Sequence, residues 1–253
     1  MHYKVQGLVL RETDYKDNDK LLTILTEDRG RLTARARGVK SRRSKLKSGC
    51  QLLTFSEFSI YENRGFCTVE EAVPLDMFIE LRTDIELLAL SSYFAQVGEK
   101  LALEDFPTPR LLSLTLNCIY ALCRLRKPQL QVKAAFELSA ACLAGYEPDL
   151  SGCNVCGQPF PEYFCVQQGM LHCRSCPGVE NHGLRMPVCE ASLAAMRHIV
   201  HGNKKQMFSF QTTPEVLRQL SGITETYLKM QLEQSFSALD FYKSLLIQPN
   251  EHT

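Results

Sequence analysis

The stretch Gly30-Arg31-Leu32-Thr33-Ala34-Arg35-Ala36-Arg37-Gly38 decides the fold of the N-terminal region. Arg31, Thr33, Arg35 and Arg37 take the odd positions, while Leu32, Ala34 and Ala36 take the even ones. Successive side chains of a strand point to opposite faces, so this segment reads as a strand with cations on one side and small apolar groups on the other. Gly30 and Gly38 bracket it as turn residues. Working outward, apolar runs at residues 5–10 and 21–26 are joined by the polar turn Tyr15-Lys16-Asp17-Asn18-Asp19. Two more strands, at 55–61 and 66–72, flank the hairpin-like Glu62-Asn63-Arg64-Gly65. Five short strands in succession predict a small barrel, and the OB-fold is the commonest five-stranded candidate. Phe55, Phe58 and Phe66 read as barrel core, with Tyr61 and Phe66 as the alternative candidates for stacking on bases.

After Pro74 the period changes. Residues 81–103, 108–126 and 131–144 are helical in length and composition, and the second carries Leu111, Leu112, Leu114, Leu116, Ile119 and Leu122 nearly all round, as a buried helix does. Phe106-Pro107-Thr108-Pro109 and Lys127-Pro128 separate these helices, and Gly145 closes the third. Helices resume at 189–201, 214–230 and 237–246, with Thr212 or Thr213 as N-cap before Pro214. The residues from Pro249 onward read as a frayed end. The expected class is α+β: an OB-fold domain over 1–78, then a helical domain over 79–253 with a cysteine-rich module inserted at 151–178.

Hydrophobic content of 45% with 23% charged residues is ordinary for a globular chain. No signal peptide is visible, since the first apolar stretch contains Gln6 and lacks a small-residue cleavage site. No uninterrupted apolar run is long enough to cross a bilayer. Eleven cysteines is an odd number, and Cys118, Cys123 and Cys142 sit in apolar helical patterns as small hydrophobes. A reducing, cytoplasmic location is therefore expected. Net charge is only +1, yet nine of the 29 cationic residues fall between Arg29 and Lys47, where there is no acid; the remainder has 20 basic against 28 acidic groups. Segregation of this kind creates a local positive field at near-neutral total charge.

The strongest chemical signal is Cys153-Asn-Val-Cys156 followed, after 16 residues, by Cys173-Arg-Ser-Cys176. Two such knuckles match a four-thiolate zinc site, and tetrahedral Zn²⁺ accepts all four sulfurs with no position left for water. Residues 163–166 and 170–172, joined at Gln168-Gly169, read as the hairpin of a zinc ribbon. Cys165, His172, His182 and Cys189 lie near enough in sequence to replace a ligand, but spacing prefers the knuckle sulfurs. A closed thiolate site is structural, because catalytic zinc keeps an open position. Metal-free buried cysteines are the alternative, and a redox dithiol would need a thioredoxin-like βαβ setting that neither pair has.

Arg31, Arg35, Arg37, Lys40, Arg42, Arg43, Lys45 and Lys47 run from the third strand into a loop holding Gly38, Ser41, Ser44, Ser48 and Gly49. Cations on a flexible glycine- and serine-rich loop suit a phosphate backbone; a merely solvated loop is the alternative. There is no G-x-x-x-x-G-K-[ST], G-x-S-x-G or H-E-x-x-H, so no enzyme activity is expected. Asp14, Asp17 and Asp19 lack the spacing of a calcium loop and read as a turn, and His198 with His201 lacks a third ligand.

Taken in order, Gly30 to Ser44, Phe136-Glu137-Leu138, Gly145-Tyr146-Glu147-Pro148-Asp149-Leu150, Cys153-Asn154-Val155-Cys156-Gly157, Tyr227-Leu228 and Phe236-Ser237-Ala238-Leu239-Asp240-Phe241-Tyr242 resemble the bacterial RecO family of recombination mediators. The resemblance implies binding of single- and double-stranded DNA, strand annealing, association with RecR, contact with the tail of the single-stranded-DNA-binding protein, and help in loading RecA within the RecF pathway of repair. It also implies a nucleoid-associated protein whose helical domain takes that acidic tail, for which Arg126, Lys127 and Lys133 beside Pro128 are the nearest cations. The rival classes are a zinc-ribbon nucleic-acid-modifying enzyme or RNA-binding protein, and a zinc-ribbon transcription factor. The last would carry cations in the ribbon, where Arg174 stands alone.

Overall fold

The computed structural model describes residues 1–178, 180 and 183–247, so His182 and the segment from Pro249 onward lie outside it. The chain forms two compact units, Met1–Arg124 with Phe236 onward, and Leu125–Ser235.

In the first unit, β1 (His2–Tyr15), β2 (Asp19–Thr26), β3 (Arg31–Ala36), β4 (Phe55–Asn63) and β5 (Phe66–Asp76) close into a barrel of order β1-β2-β3-β5-β4. All neighbours are antiparallel except β3 and β5, whose parallel pairing closes the ring. The alternation read in β3 is real: Leu32, Ala34 and Ala36 face a core with Val5, Val9, Leu22, Ile24, Phe58, Ile60 and Val69. β1 is longer than its apolar run suggests, and Leu8-Val9-Leu10 is apolar without alternation because both faces are covered. Val9 points into the barrel, whereas Leu10 lies against Gly98 of α1 (Ile85–Leu101).

That helix was expected from residue 81. It starts at Ile85 because the Asp84 carboxylate accepts from the backbone N–H of Glu86 and Leu87, the pairing of an N-cap, and 79–82 forms a single 3₁₀ turn before it. α2 (Pro109–Cys123) and α6 (Ser237–Ile247) complete the unit, with the Tyr93 and Phe236 rings 5.4 Å apart at an edge-to-face angle.

The second unit holds α3 (Gln129–Leu143), β6 (Asp149–Cys153), β7 (Tyr163–Cys165), β8 (Met170–His172), β9 (Arg185–Pro187), α4 (Glu190–His201) and α5 (Pro214–Leu232). The hairpin expected at 163–172 is present and is widened by β6 and β9 into the order β6-β8-β7-β9. Thr213, not Thr212, caps α5 by accepting from the Val216 N–H. The sheet is pinned to α5 by Tyr227, whose hydroxyl donates to the Tyr146 carbonyl at 3.0 Å, and by Gln231, which donates to the carbonyls of Val166 and Gln167.

Helix α3 is buried from Gln131 to Ala141. Two charged residues are carried inside with it. The Lys133 ammonium lies 2.8 Å from Glu137, 2.9 Å from Glu225 and 3.1 Å from the Ser221 hydroxyl, and Thr224 donates to Glu137 at 2.7 Å. Burial pushes the Glu137 carboxyl up, opposed by the Lys133 charge. A buried pair of this kind stabilises little against an apolar replacement, but losing one partner leaves an uncompensated charge. Lys133→Ala should therefore cost about 3–5 kcal/mol in urea unfolding, while Lys133→Met combined with Glu137→Leu should cost much less; equal losses would mean that packing, not charge, sets the effect.

Candidate nucleic-acid interface and metal centre

Residues 37–54 leave β3 and return to β4 over one end of the barrel, and they are not the flexible loop that their glycines and serines suggest. Val39 and Cys50 belong to the barrel core and Leu46 packs against it. Successive turns are closed by Ser41 N–H to Gly38 O, Ser44 N–H to Ser41 O and Cys50 N–H to Leu46 O. The Ser56 hydroxyl donates to the Gly49 carbonyl at 2.8 Å, and the Leu52 N–H donates to the Glu12 carboxylate. An anchored chain with apolar residues turned inward leaves its cations outward: Arg37, Lys40, Arg42, Arg43, Lys45 and Lys47 are all exposed.

The eight expected cations divide by their partners. Arg35 is bound to Asp19 through Nε at 2.7 Å and lies over the Tyr15 ring at 5.2 Å. Lys40 pairs with Asp14 at 3.1 Å, and Arg31 with Glu104 at 3.2 Å. The Asp14 and Asp19 turn therefore holds the base of the basic segment, a role sequence reading missed. The Gly38 N–H and the Arg35 guanidinium hold the Asp19 carboxyl below its ordinary range. Arg37, Arg42, Arg43, Lys45 and Lys47 make no ion pair among the described residues. These five carry the unneutralised charge.

Two expectations about side chains are corrected. Phe58 is fully buried, but Phe66, read as core, is 79% exposed on the outer face of β5. Lys133 is 1% exposed and held by Glu137 and Glu225, so it offers no surface cation to a tail; Arg126 is exposed and Lys127 half-buried.

The knuckle cysteines converge. Cys153 ends β6, and its carbonyl accepts from the Gly157 N–H at 2.8 Å, which tightens the first knuckle at a glycine with φ +73°. The Asn154 N–H donates to the Leu171 carbonyl of β8, and the Cys173 N–H to the Cys153 sulfur at 3.3 Å, which brings the second knuckle beside the first. Ligand sulfurs of Cys153, Cys156, Cys173 and Cys176 all lie within 4.8 Å of one another, with Cys153 to Cys176 at 3.8 Å and Cys156 to Cys173 at 3.7 Å. A tetrahedron with metal–sulfur bonds of about 2.3 Å has edges of about 3.8 Å, so the four sulfurs can hold one metal ion. Cys165 is buried on β7, Cys189 accepts from the Ser192 N–H at the start of α4, and the His172 ring faces the Cys173 carbonyl; none joins the cluster.

Burial raises the Cys153 thiol, but the N–H groups of Cys156, Val155 and Cys173 outweigh it and bring it down to about 6. Cys176 is pushed up to about 11 by its hydrogen bond to Cys156, by burial and by the Cys153 thiolate. Four thiolates this close repel one another, and a dication at the centre removes that penalty. Protein purified without added metal should therefore carry close to one ion per chain by elemental analysis, and Cys153→Ser or Cys176→Ser should lose it. Wild-type protein free of metal, with thermal stability unchanged by a chelator, would show that the cluster folds without an ion.

The comparisons with known proteins agree over the length of the chain. The family described as recombination protein O N terminal matches residues 1–78, and that described as recombination protein O C terminal matches residues 82–240. Among curated relatives, the DNA repair protein RecO of Acetivibrio thermocellus is 31% identical over 97% of this chain and 98% of its own length. Those of Alkaliphilus metalliredigens and Heliobacterium modesticaldum are 26% and 29% identical, covering 97% and 96% of the chain and 100% and 90% of their own lengths.

Proposed function

Because the chain belongs to the RecO family, matched in both its N-terminal and C-terminal parts, we propose that it is a DNA-binding recombination mediator of DNA repair that performs no covalent step. The observation that carries this reading is the set of five exposed, unpaired cations at Arg37, Arg42, Arg43, Lys45 and Lys47 on an anchored segment. Phosphate contacts are electrostatic and sequence-independent, and cations already fixed in space lose less entropy on binding than those of a mobile loop. Arg31, Arg35 and Lys40 border the same surface, and their acidic partners compete with phosphate for them. A surface that neutralises two strands together supports annealing, since the main obstacle to pairing two polyanions is their mutual repulsion.

The family implies the rest of the reading: help in loading RecA onto single strands coated by the single-stranded-DNA-binding protein, association with RecR, and contact with that protein's acidic tail. For the tail, Arg126 and Lys127 remain the available cations of the original three. The metal is zinc by the chemistry of the donor set, a closed thiolate site with no open position, and its role is to fold the module that contains β6 to β9.

Each phosphate neutralised on a single strand adds roughly 0.7 to the slope of log affinity against log salt. Replacing Arg42, Arg43, Lys45 and Lys47 with alanine should lower that slope by roughly one to three units and weaken binding equally for two unrelated oligonucleotides. Metal content should be unchanged. A variant that keeps both affinity and slope would reduce the segment to a solvated loop.

A further inference from the structure

Pairing in the barrel sets four side chains in a row across its outer face. His2 of β1 stands opposite Tyr61 of β4, Tyr61 opposite Thr68 of β5, and Thr68 opposite Arg35 of β3. The alternate positions, Ile60, Val69, Ala34 and Ala36, point into the core, so the row points out. Phe66 lies two residues before Thr68, on the same face, and pairs with Asn63 at the tip of the β4–β5 hairpin. Its ring is 79% exposed and that of Tyr61 is 37% exposed, with the His2 ring 4.7 Å from Tyr61. Strands are about 4.8 Å apart, which places the Tyr61 and Arg35 backbones roughly 10 Å apart across Thr68. Arg35 leads directly to exposed Arg37 and the basic segment.

Nothing in the barrel's own stability calls for these rings. Phe66 stands among Asn63, Arg64 and Gly65, a polar surround that does not form the contiguous apolar patch a protein partner's core would need. Of the acids on β4 and β5, Glu70 pairs with His2 at 2.9 Å, Glu62 with Arg29 at 3.5 Å and Glu57 with Lys4 at 3.0 Å, while the exposed Glu71 stands five residues along β5 from Phe66. A flat ring on a polar face, continuous with unpaired cations, is suited to the face of a nucleobase whose phosphate lies toward the cations.

We propose that the outer face of β4 and β5, with Phe66 and Tyr61 as its rings, stacks unpaired bases of single-stranded DNA and so gives the chain a preference for single strands over duplex. The proposal rests on the reading of the basic segment as a phosphate contact and adds to it a site that duplex DNA, whose bases stack on one another, does not use. Phosphate contacts at Arg42 to Lys47 set the salt dependence; the rings set the difference between the two forms of DNA.

The test uses the full chain and measures affinity for an oligothymidylate and for a duplex at several salt concentrations. Phe66→Ala with Tyr61→Ala should lower single-strand affinity by roughly 10-fold or more, since stacking on one ring changes affinity by about 5- to 150-fold. Duplex affinity and the salt slope should be unchanged, and the exposure of both rings means that folding is spared. The chain contains no tryptophan. Phe66→Trp therefore introduces a single indole, whose fluorescence should be quenched by oligothymidylate and not by duplex, with single-strand affinity retained. Unchanged single-strand affinity in the double variant, or an indole indifferent to an oligonucleotide that the wild type binds, overturns the proposal; the wild-type salt slope in the same titration shows that the basic segment's role stands. Equal losses for both forms of DNA also overturn it. A wild type that binds neither form overturns both readings.

Discussion

The barrel closes through three residue pairs, Ala34 with Cys67, Arg35 with Thr68 and Ala36 with Val69, the parallel junction of β3 and β5. Parallel pairing demands that the chain cross from the end of β3 back to its far end, and residues 37–54, β4 and the hairpin are that crossing. The crossing segment must lie across the barrel end, where it is wanted as a plug: Val39, Leu46 and Cys50 fill the space that Ala34 and Ala36 leave. Small residues on the inner face of β3 and a buried connection after it are therefore one solution to the same packing constraint. Because alternate side chains of a strand oppose one another, the alanines inside oblige Arg31, Thr33 and Arg35 to face outward, and the plug residues turn the later cations outward as well. The basic surface follows from how the barrel is closed.

Within that surface, the acidic β1–β2 turn neutralises two of the cations. Arg35 and Lys40 are neutralised by Asp19 and Asp14, which fasten the strand end and the first residues of the crossing, while Arg37 between them has no ion pair among the described residues. Farther on no acid is within reach, and Arg42, Arg43, Lys45 and Lys47 keep their full field. Exposed ion pairs contribute little to stability, at most about 1 kcal/mol. Their effect here is positional, since they fasten the strand end and the start of the crossing to the β1–β2 turn. Arg35 also has a second contact in the Tyr15 ring, whose centre lies 5.2 Å away.

Much of this was legible from residue order alone. The β3 alternation and the paired Cys-x-x-Cys spacings survive folding because each depends on a local geometric rule: a period of two in one case, two sulfurs aimed by one turn in the other. The failures share a different cause. Phe66 reads as core because it is a large apolar group beside a strand, but its position in the hairpin register, opposite Asn63, puts it outside. Lys133 reads as a surface cation near Pro128, yet α3 is enclosed on all sides and its charge is met by Glu137 and by Glu225 from a distant helix. The serines and glycines of the crossing read as flexibility, while their N–H and hydroxyl groups are spent on turns and on the barrel wall. Exposure, pairing and rigidity are tertiary facts, and no window of sequence contains the partner that decides them.

The four-cysteine centre argues for a separation of tasks along the chain. Four thiolates around one dication sum to a formal charge of about −2, a field that repels phosphate unless cations surround it. From Cys153 to Cys176 the single Lys or Arg is Arg174, inside the second knuckle, and its guanidinium lies 5.7 Å from the Tyr163 ring centre. A DNA-reading ribbon would need the opposite balance. What the module does possess is attachment: Arg197 of α4 donates to the carbonyls of Leu150, Ser151 and Pro159, on either side of the first knuckle, Tyr227 of α5 donates to the Tyr146 carbonyl ahead of β6, and Gln231 to the Val166 carbonyl just after β7. The short strands of the module are thus held by helical side chains at one end, and at the other stand four sulfurs placed so that they could hold one metal ion. A metal held there would contribute to folding this small sheet, and the electrostatics of the proposed DNA contact are those of the barrel's cations.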